Sequence, residues 1–206
     1  MHPLPPRRTT HAFGTPKNLL VYDRWGRFGR PMILLHGLRY DRTMWWPVAA
    51  ELHGAGSVLA VDLPGHGESA PRDDCAPDRL AHDLAMLVLR LDLRRAPVLV
   101  AHAESALLAE VFAARYATHT VIAVDTAAPG GECDLDGVPE PYRQFAVRRP
   151  GTAPLRPFRS WSDALATTTA PAQVRAGALP EAHLGGDRLP HLRDPAGFAG
   201  LLRGIR

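Results

Sequence analysis

Lysine is almost missing from this 206-residue chain: Lys17 is the only one among 24 basic residues. The arginines that replace it are spread along the sequence and interleaved with 21 acidic residues, so the net charge of +3 arises without a basic block. A nucleic-acid surface needs its positive charge concentrated on one face or stripe, and that class of partner is not expected. Cysteine is scarce too. Cys75 and Cys133 cannot build a disulfide framework and lack metal-ligand spacing, so the expectation is a reducing cytoplasm, no structural metal and no cofactor. Long apolar runs are also lacking: no stretch approaches the roughly 18 residues of a membrane span. The opening "MHPLPPRRTTHAFGTPKN" holds no apolar signal-peptide core. These absences predict a cytoplasmic protein with neither membrane nor nucleic acid as partner.

What is present is a hydrophobic content of 46%, enough for one domain with a substantial core. Proline and arginine mark residues 1–17 as a flexible arm, and a single domain is expected over 18–206. "NLLVYD" at Asn18 to Asp23 has short strand character. "MILLHG" after Pro31 is a continuous apolar run, as in a strand buried on both faces of a parallel sheet. A helix follows from Thr43 to Leu52, with Thr43 as its cap and Pro47 in its first turn. The order then repeats. A strand at Val58 to Asp62 precedes a glycine turn and a helix at Pro77 to Leu91. "APVLVA" precedes the next helix, and "HTVIAVD" supplies a further strand ending at Asp125. This alternation predicts an α/β fold: a mostly parallel sheet with helices on both faces. From Ala127 to about Pro157 the pattern gives way to loop, with a short helix near Tyr142 to Val147. Helices are expected at Ser162 to Ala170 and at Pro195 to Arg203.

The chemistry centres on "VLVAHAESALLAE", Val98 to Glu110, where a strand runs into a sharp turn and a helix. Taken with "ILLHG", "VDLPGHGES", "VIAVDTAAP" and "LPHLRDPAGFAGLL", in that order and approximate spacing, it makes the chain resemble the α/β-hydrolase family from Asn18 onward. The resemblance implies that the turn is the family's nucleophile elbow, written Gly-x-Ser-x-Gly, and that Ala103 stands where the serine would be. A methyl group cannot attack a carbonyl, so acyl-enzyme chemistry at that position is excluded. Ser105 is two residues on, inside the helix and rotated about 200° away. It is read as a surface or packing serine.

The resemblance also implies an oxyanion hole built from backbone N–H groups: one on Leu38, after His36-Gly37, and one on Glu104. The family's catalytic histidine falls on Arg188, which stays protonated and cannot act as a general base. His183 and His191 are nearby, His183 in an expected strand and His191 at a family packing position. Asp125 matches an alternative acid of some relatives, although a loop-capping role is the more ordinary one. Asp23 and Asp62 are read as turn residues. Trp45 and Trp46 are read as core packing. "PGHGES" lacks both the lysine of a phosphate loop and the spacing of a dinucleotide fingerprint. The lid and C-terminal region, between Asp125 and Leu189, is shorter than the family's.

Three functions are compatible with this reading. The first is a degenerate hydrolase-fold protein that binds a small, partly apolar molecule at the carboxyl ends of its strands, with ordinary serine hydrolysis lost. The second is a non-hydrolytic cyclase, lyase or isomerase in which His36, His102, Glu104 or Asp125 supplies acid or base beside the retained donors. The third is an active ester or lactone hydrolase with an unrecognised nucleophile. Oligomeric state has no signature in the sequence.

Overall fold

Strands that are apolar on both sides need cover on both sides, and in the computed structural model they have it. The structure describes residues 7–38, 40–52, 56–92, 94–125, 135–146 and 189–205. Its six strands are β1 (Thr9–Phe13), β2 (Leu20–Trp25), β3 (Pro31–Leu35), β4 (Ser57–Val61), β5 (Val98–His102) and β6 (Thr120–Val124). They form one sheet in the order β1-β2-β4-β3-β5-β6. The four strands from β4 to β6 run parallel, while β2 is antiparallel to both of its neighbours. The fold is therefore a mixed, mostly parallel α/β sheet, as the alternation predicts.

Successive side chains along a strand point to opposite faces, and two cores follow from that period. On one face Met32, Leu34, Val58, Ala60, Val98 and Val100 meet Trp45, Val48 and Leu52. The helices covering that face are α1 (Trp46–Glu51), α5 (Pro190–Arg193) and α6 (Pro195–Arg203), the last two contributing Leu192, Phe198 and Leu202. On the other face Ile33, Leu35, Leu59, Val61, Leu99 and Ala101 pack on α2 (Pro77–Arg90) and α3 (Ser105–Arg115), through Leu84, Leu87, Leu108 and Phe112. Each fully buried side chain of this size is worth about 1.5–3 kcal/mol relative to exposure. A short helix α4 (Glu140–Arg143) lies where the helix near Tyr142 is expected, shifted toward the N-terminus.

Two expectations are corrected. The N-terminal arm is not flexible over Thr9–Phe13, which pairs in register with β2 from Thr9↔Arg24 to Phe13↔Leu20. The strand is exposed along most of its length, so it carries no apolar alternation to betray it. It is held instead by its ladder, by Thr10 Oγ1 donating to Asp23 Oδ1 at 2.6 Å, and by His11 stacked on Tyr22. The cap before α1 is Asp41 rather than Thr43: its carboxylate accepts from Thr43 N at 2.9 Å and opens a 3-10 turn, Arg42–Trp45, ahead of the helix. Pro47 does lie in the first turn of α1.

This topology places the site. Strand β3 has β4 on one side and β5 on the other, and the connections from β3 and from β4 cover opposite faces. In doubly wound sheets ligands bind where successive connections part in this way, which makes the carboxyl ends of β3 and β5 the candidate position of a site.

Candidate functional site

Three strand ends converge there: His36-Gly37-Leu38 after β3, Ala103-Glu104 after β5 and Asp125 after β6. The approach of the first two is close. A Cβ on Gly37 would stand 2.6 Å from His102 Nδ1 and 3.4 Å from Ala103 Cβ, so glycine is required by space and not by backbone angle. The register His102↔Val124 sets Asp125 beside Ala103.

Ala103 is held in a left-handed conformation, with φ of 51°. For a residue with a Cβ that costs about 1–2 kcal/mol. The surroundings impose it: Ala103 N donates to Val124 O at 2.7 Å, and its carbonyl accepts from Ala106 N at 3.0 Å, starting α3. The strand-to-helix turn expected at Ala103 is present. Asp125 has a left-handed φ of 52° as well.

Leu38 N–H, expected to face an anion, donates at 3.3 Å to Oε2 of Glu104. The carboxylate of the residue that follows Ala103 therefore spans from β5 to the loop after β3. Ser105 is buried, and its hydroxyl donates to the carbonyl of His36. Its role is to tie the first turn of α3 to the end of β3, the packing role expected of it.

His36 is consumed by the scaffold. Leu63 N donates to its Nε2 at 3.0 Å, which leaves the proton on Nδ1, 2.8 Å from Gly37 O. Burial lowers its pKa to about 4, so the ring is neutral at pH 7 and has no lone pair to offer a substrate. Its place among the acid–base candidates is withdrawn for that reason. His66, tilted against it with ring centroids 4.9 Å apart, is also lowered to about 4 by burial.

His102 is buried at the end of β5, edge-on to Tyr40 at 5.5 Å and to His191 at 5.4 Å. His191 lies wholly inside, between Trp45 at 4.4 Å and Phe198 at 6.1 Å. Burial, then the neighbouring His102, holds its pKa well below the ordinary histidine value. Neither of its nitrogens has a hydrogen-bond partner among the described residues. It is a packing residue, as the resemblance implies. Arg188 and His183, and the helix expected at Ser162 to Ala170, lie outside the described residues.

One cluster escaped the sequence reading. Arg42, at the start of the 3-10 turn, is buried with its Nε 3.1 Å from Asp23, its Nη1 on Asp62 and its Nη2 2.8 Å from Glu68. Burial opposes its charge, but Asp62 and Asp23 more than offset that and raise its pKa above the ordinary value. Asp62 also accepts from the backbone N–H of Arg42 and of Glu68, a turn role as expected. Asp23 is not a turn residue: it is buried in β2, where it also accepts from Trp46 Nε1 at 2.7 Å. Trp45 is a core residue, and Trp46, partly buried, packs against the same core with Arg8 3.6 Å from its ring centre. The partners of Arg42 come from two separated segments, β2 and the loop after β4, and no local spacing signals them.

Among the described residues no group of three or more His, Cys, Asp or Glu side chains is placed to hold a metal ion. No helix among them is long and apolar enough to cross a membrane.

Comparison with known proteins agrees with this fold. The sequence model of the alpha/beta hydrolase family matches residues 32–204. A segment of 78 residues is 36% identical to the dihydrolipoyllysine-residue acetyltransferase component of the acetoin cleaving system of Pseudomonas putida, covering 36% of this chain and 20% of that protein. Another of 46 residues is 48% identical to 2-succinyl-6-hydroxy-2,4-cyclohexadiene-1-carboxylate synthase of Salmonella paratyphi B, covering 22% of this chain and 18% of that one. The chain thus spans about a fifth of the length of these curated relatives. Among solved structures, E-2-(acetamidomethylene)succinate hydrolase superposes with a TM-score of 0.72 over 97% of this chain and 99% of its own, at 17% identity. At that identity the likeness shows the fold alone.

Proposed function

The chain belongs to the alpha/beta hydrolase family, and from that premise we propose that it binds a small, partly apolar molecule at the ends of β3 and β5 and has lost serine hydrolysis. The observation that carries this reading is the conformation of Ala103. The turn keeps the left-handed φ of 51° with a residue that cannot attack a substrate. A strained turn persists where its surroundings over-determine it, and it is commonly found where a site needs it. Here the strain is retained and the nucleophile is not. We read Ala103 as standing at the family's nucleophile position and Arg188 at its histidine position.

Two further features support the loss of hydrolysis. His36 has both ring nitrogens engaged, and His191 is sealed in the core, so neither can serve as base to a nucleophile on the neighbouring turn. Leu38 N–H, the expected donor to a tetrahedral oxyanion, already donates to Glu104. The acid–base alternative narrows with these observations to His102, Glu104 and Asp125. Ligand, localisation and partners belong to the same proposal: a small-molecule ligand, a cytoplasmic protein, and no nucleic-acid or membrane partner.

The test is treatment of the purified protein with a fluorophosphonate probe, alongside turnover assays on short-chain ester, lactone and thioester substrates. No label and no turnover above background are expected. Stoichiometric labelling, or ester hydrolysis that the probe abolishes, would overturn the reading.

A further inference from the structure

We propose that strand β1 is a strap: docked, it holds the turn after β3 through the buried carboxylate of Asp23, and its release loosens the candidate site at the ends of β3 and β5. It deepens the small-molecule reading above, on which the importance of that site rests, by adding a means of regulation. Asp23 is fully buried in β2, and its carboxylate accepts from three elements at once. Thr10 Oγ1 of β1 donates to Oδ1 at 2.6 Å. Arg42 Nε of the 3-10 turn and Trp46 Nε1 of α1 donate to Oδ2 at 3.1 and 2.7 Å. An ionised carboxylate only accepts, so it can join donors from separate elements, and burying it with one of them missing is costly.

Arg42 carries the connection to the site. Besides Asp23, its Nη1 meets Asp62 and its Nη2 meets Glu68 at 2.8 Å, and its own backbone N–H donates to Asp62 Oδ1 at 2.7 Å. Side chain and main chain are thus fixed together. Tyr40 N–H donates back to Gly37 O at 3.2 Å and Met44 N–H to Asp41 O at 3.2 Å, so the turn bearing Leu38 runs straight into this anchor. The other end of the connection is the weak one. β1 is five residues long, exposed along most of its length and, among the described residues, paired with β2 alone. Little apolar area holds it, and segments of that kind open at the low end of a protein's stability range. Its fastenings are the ladder, His11 on Tyr22, the Thr10 bond, and the Arg8 guanidinium 3.6 Å from the centre of the Trp46 ring. The last two grip one unit, since Trp46 itself donates to Asp23. When β1 lifts, Asp23 loses a donor and its pair with Arg42 is opened to water, where the attraction between the charges is weaker. Arg42 then holds the turn less firmly.

The experiment is native-state amide hydrogen exchange, followed by NMR on the ¹⁵N-labelled full chain and on a variant carrying Arg8→Ala and Thr10→Val. Valine keeps the branched shape that suits a strand and removes only the hydroxyl's bond. Exchange in β1 is expected to speed up by about tenfold or more, from the loss of a cation–π contact and of a hydrogen bond to a charged group. At Tyr40, Arg42 and Met44 it is expected to rise by about threefold or more, while Leu99 and Val100 in β5 keep their rates. Coupling is reciprocal. Arg42→Lys, which replaces the three-way fork by one ammonium, is therefore expected to speed exchange in β1 relative to β5. Faster exchange in β1 with unchanged rates at Tyr40, Arg42 and Met44 would overturn the strap, and so would an equal rise throughout β5, which marks a general loss of stability. Unchanged rates everywhere, or a β1 indifferent to Arg42→Lys, would overturn it as well. No ligand or reactive probe enters these measurements, so the strap can fail while the small-molecule reading stands, and fluorophosphonate labelling can overturn that reading while the strap stands.

Discussion

Gly37 and His102 occupy adjacent strand ends so closely that a methyl group on the glycine would stand 2.6 Å from the imidazole Nδ1. Neither partner can yield easily. His102 is buried against Tyr40 and His191, and Gly37 O is fixed by the ring of His36. Gly37→Ala is therefore expected to destabilise the protein by about 1–3 kcal/mol, the usual cost of overpacking. Removing the clash with His102→Ala should recover part of that loss, so the double variant falls short of the sum of the singles. Urea midpoints of the four proteins measure it; full additivity would show that the two residues do not press on each other.

Ala103 offers the opposite experiment. Glycine adopts a left-handed φ without penalty, so Ala103→Gly is expected to raise stability by up to about 1 kcal/mol, reduced by the methyl contacts it loses. A clear fall in the thermal midpoint would mean that the φ of 51° is not strained in its setting.

Restoring a hydroxyl should not restore hydrolysis. Ala103→Ser places an oxygen on the turn, but His36 is neutral with both nitrogens engaged and His191 is inaccessible. General-base help is worth about 10²- to 10⁴-fold. We expect Ala103→Ser alone to stay near background with an activated short-chain ester, and Ala103→Ser with Arg188→His to show more, non-additively. If the single variant equals the double, another base lies within reach and the proposed role of position 188 falls.

The histidines at the strand ends give stability a definite pH dependence. His36 and His66 are neutral when folded, their pKa values lowered by burial to about 4, against about 6.5 in the unfolded chain. Between those values the unfolded chain binds more protons. Stability is thus complete above about pH 6.5 and is lost as the pH falls toward 4, by up to ~1.4 kcal/mol per unit for each ring. Urea unfolding at pH 7, 6 and 5 should show the decline, and His36→Asn should make it shallower, leaving the part due to His66 and His191. A stability that does not change from pH 7 to 5 would contradict the neutral, buried assignment.

The Arg42 cluster is expected to be the most sensitive polar feature of the fold. Arg42→Ala leaves Asp23 and Asp62 buried without their cation, a loss of about 3–5 kcal/mol for pairs of this kind. Adding Asp23→Asn and Asp62→Asn should return much of it, because the stranded charges are then removed. Denaturant midpoints test both steps, and an Arg42→Ala protein within 1 kcal/mol of the unmodified chain would refute the structural role.

The parallel strands were legible because burial on both faces writes itself into local sequence: "MILL" and "VLVA" are unbroken apolar runs, and the terminal helix Pro195–Arg203 has the bounds expected of it. The turn at Ala103 was legible too, since it is one contiguous string between a strand and a helix. β1 was not, because an exposed edge strand is held by a ladder and by Thr10 on Asp23, and neither leaves a hydrophobic period behind. The roles of His36, Glu104 and Arg42 were equally hidden. Their partners are 27, 66 and 20 positions away in sequence, respectively Leu63, Leu38 and Asp62. The chain alone determines which chemistry position 103 lacks, since a methyl group lacks it in any fold. Only tertiary structure decides that a glutamate occupies the donor beside it, because two strand ends must be brought together before the carboxylate of one can reach the backbone of the other.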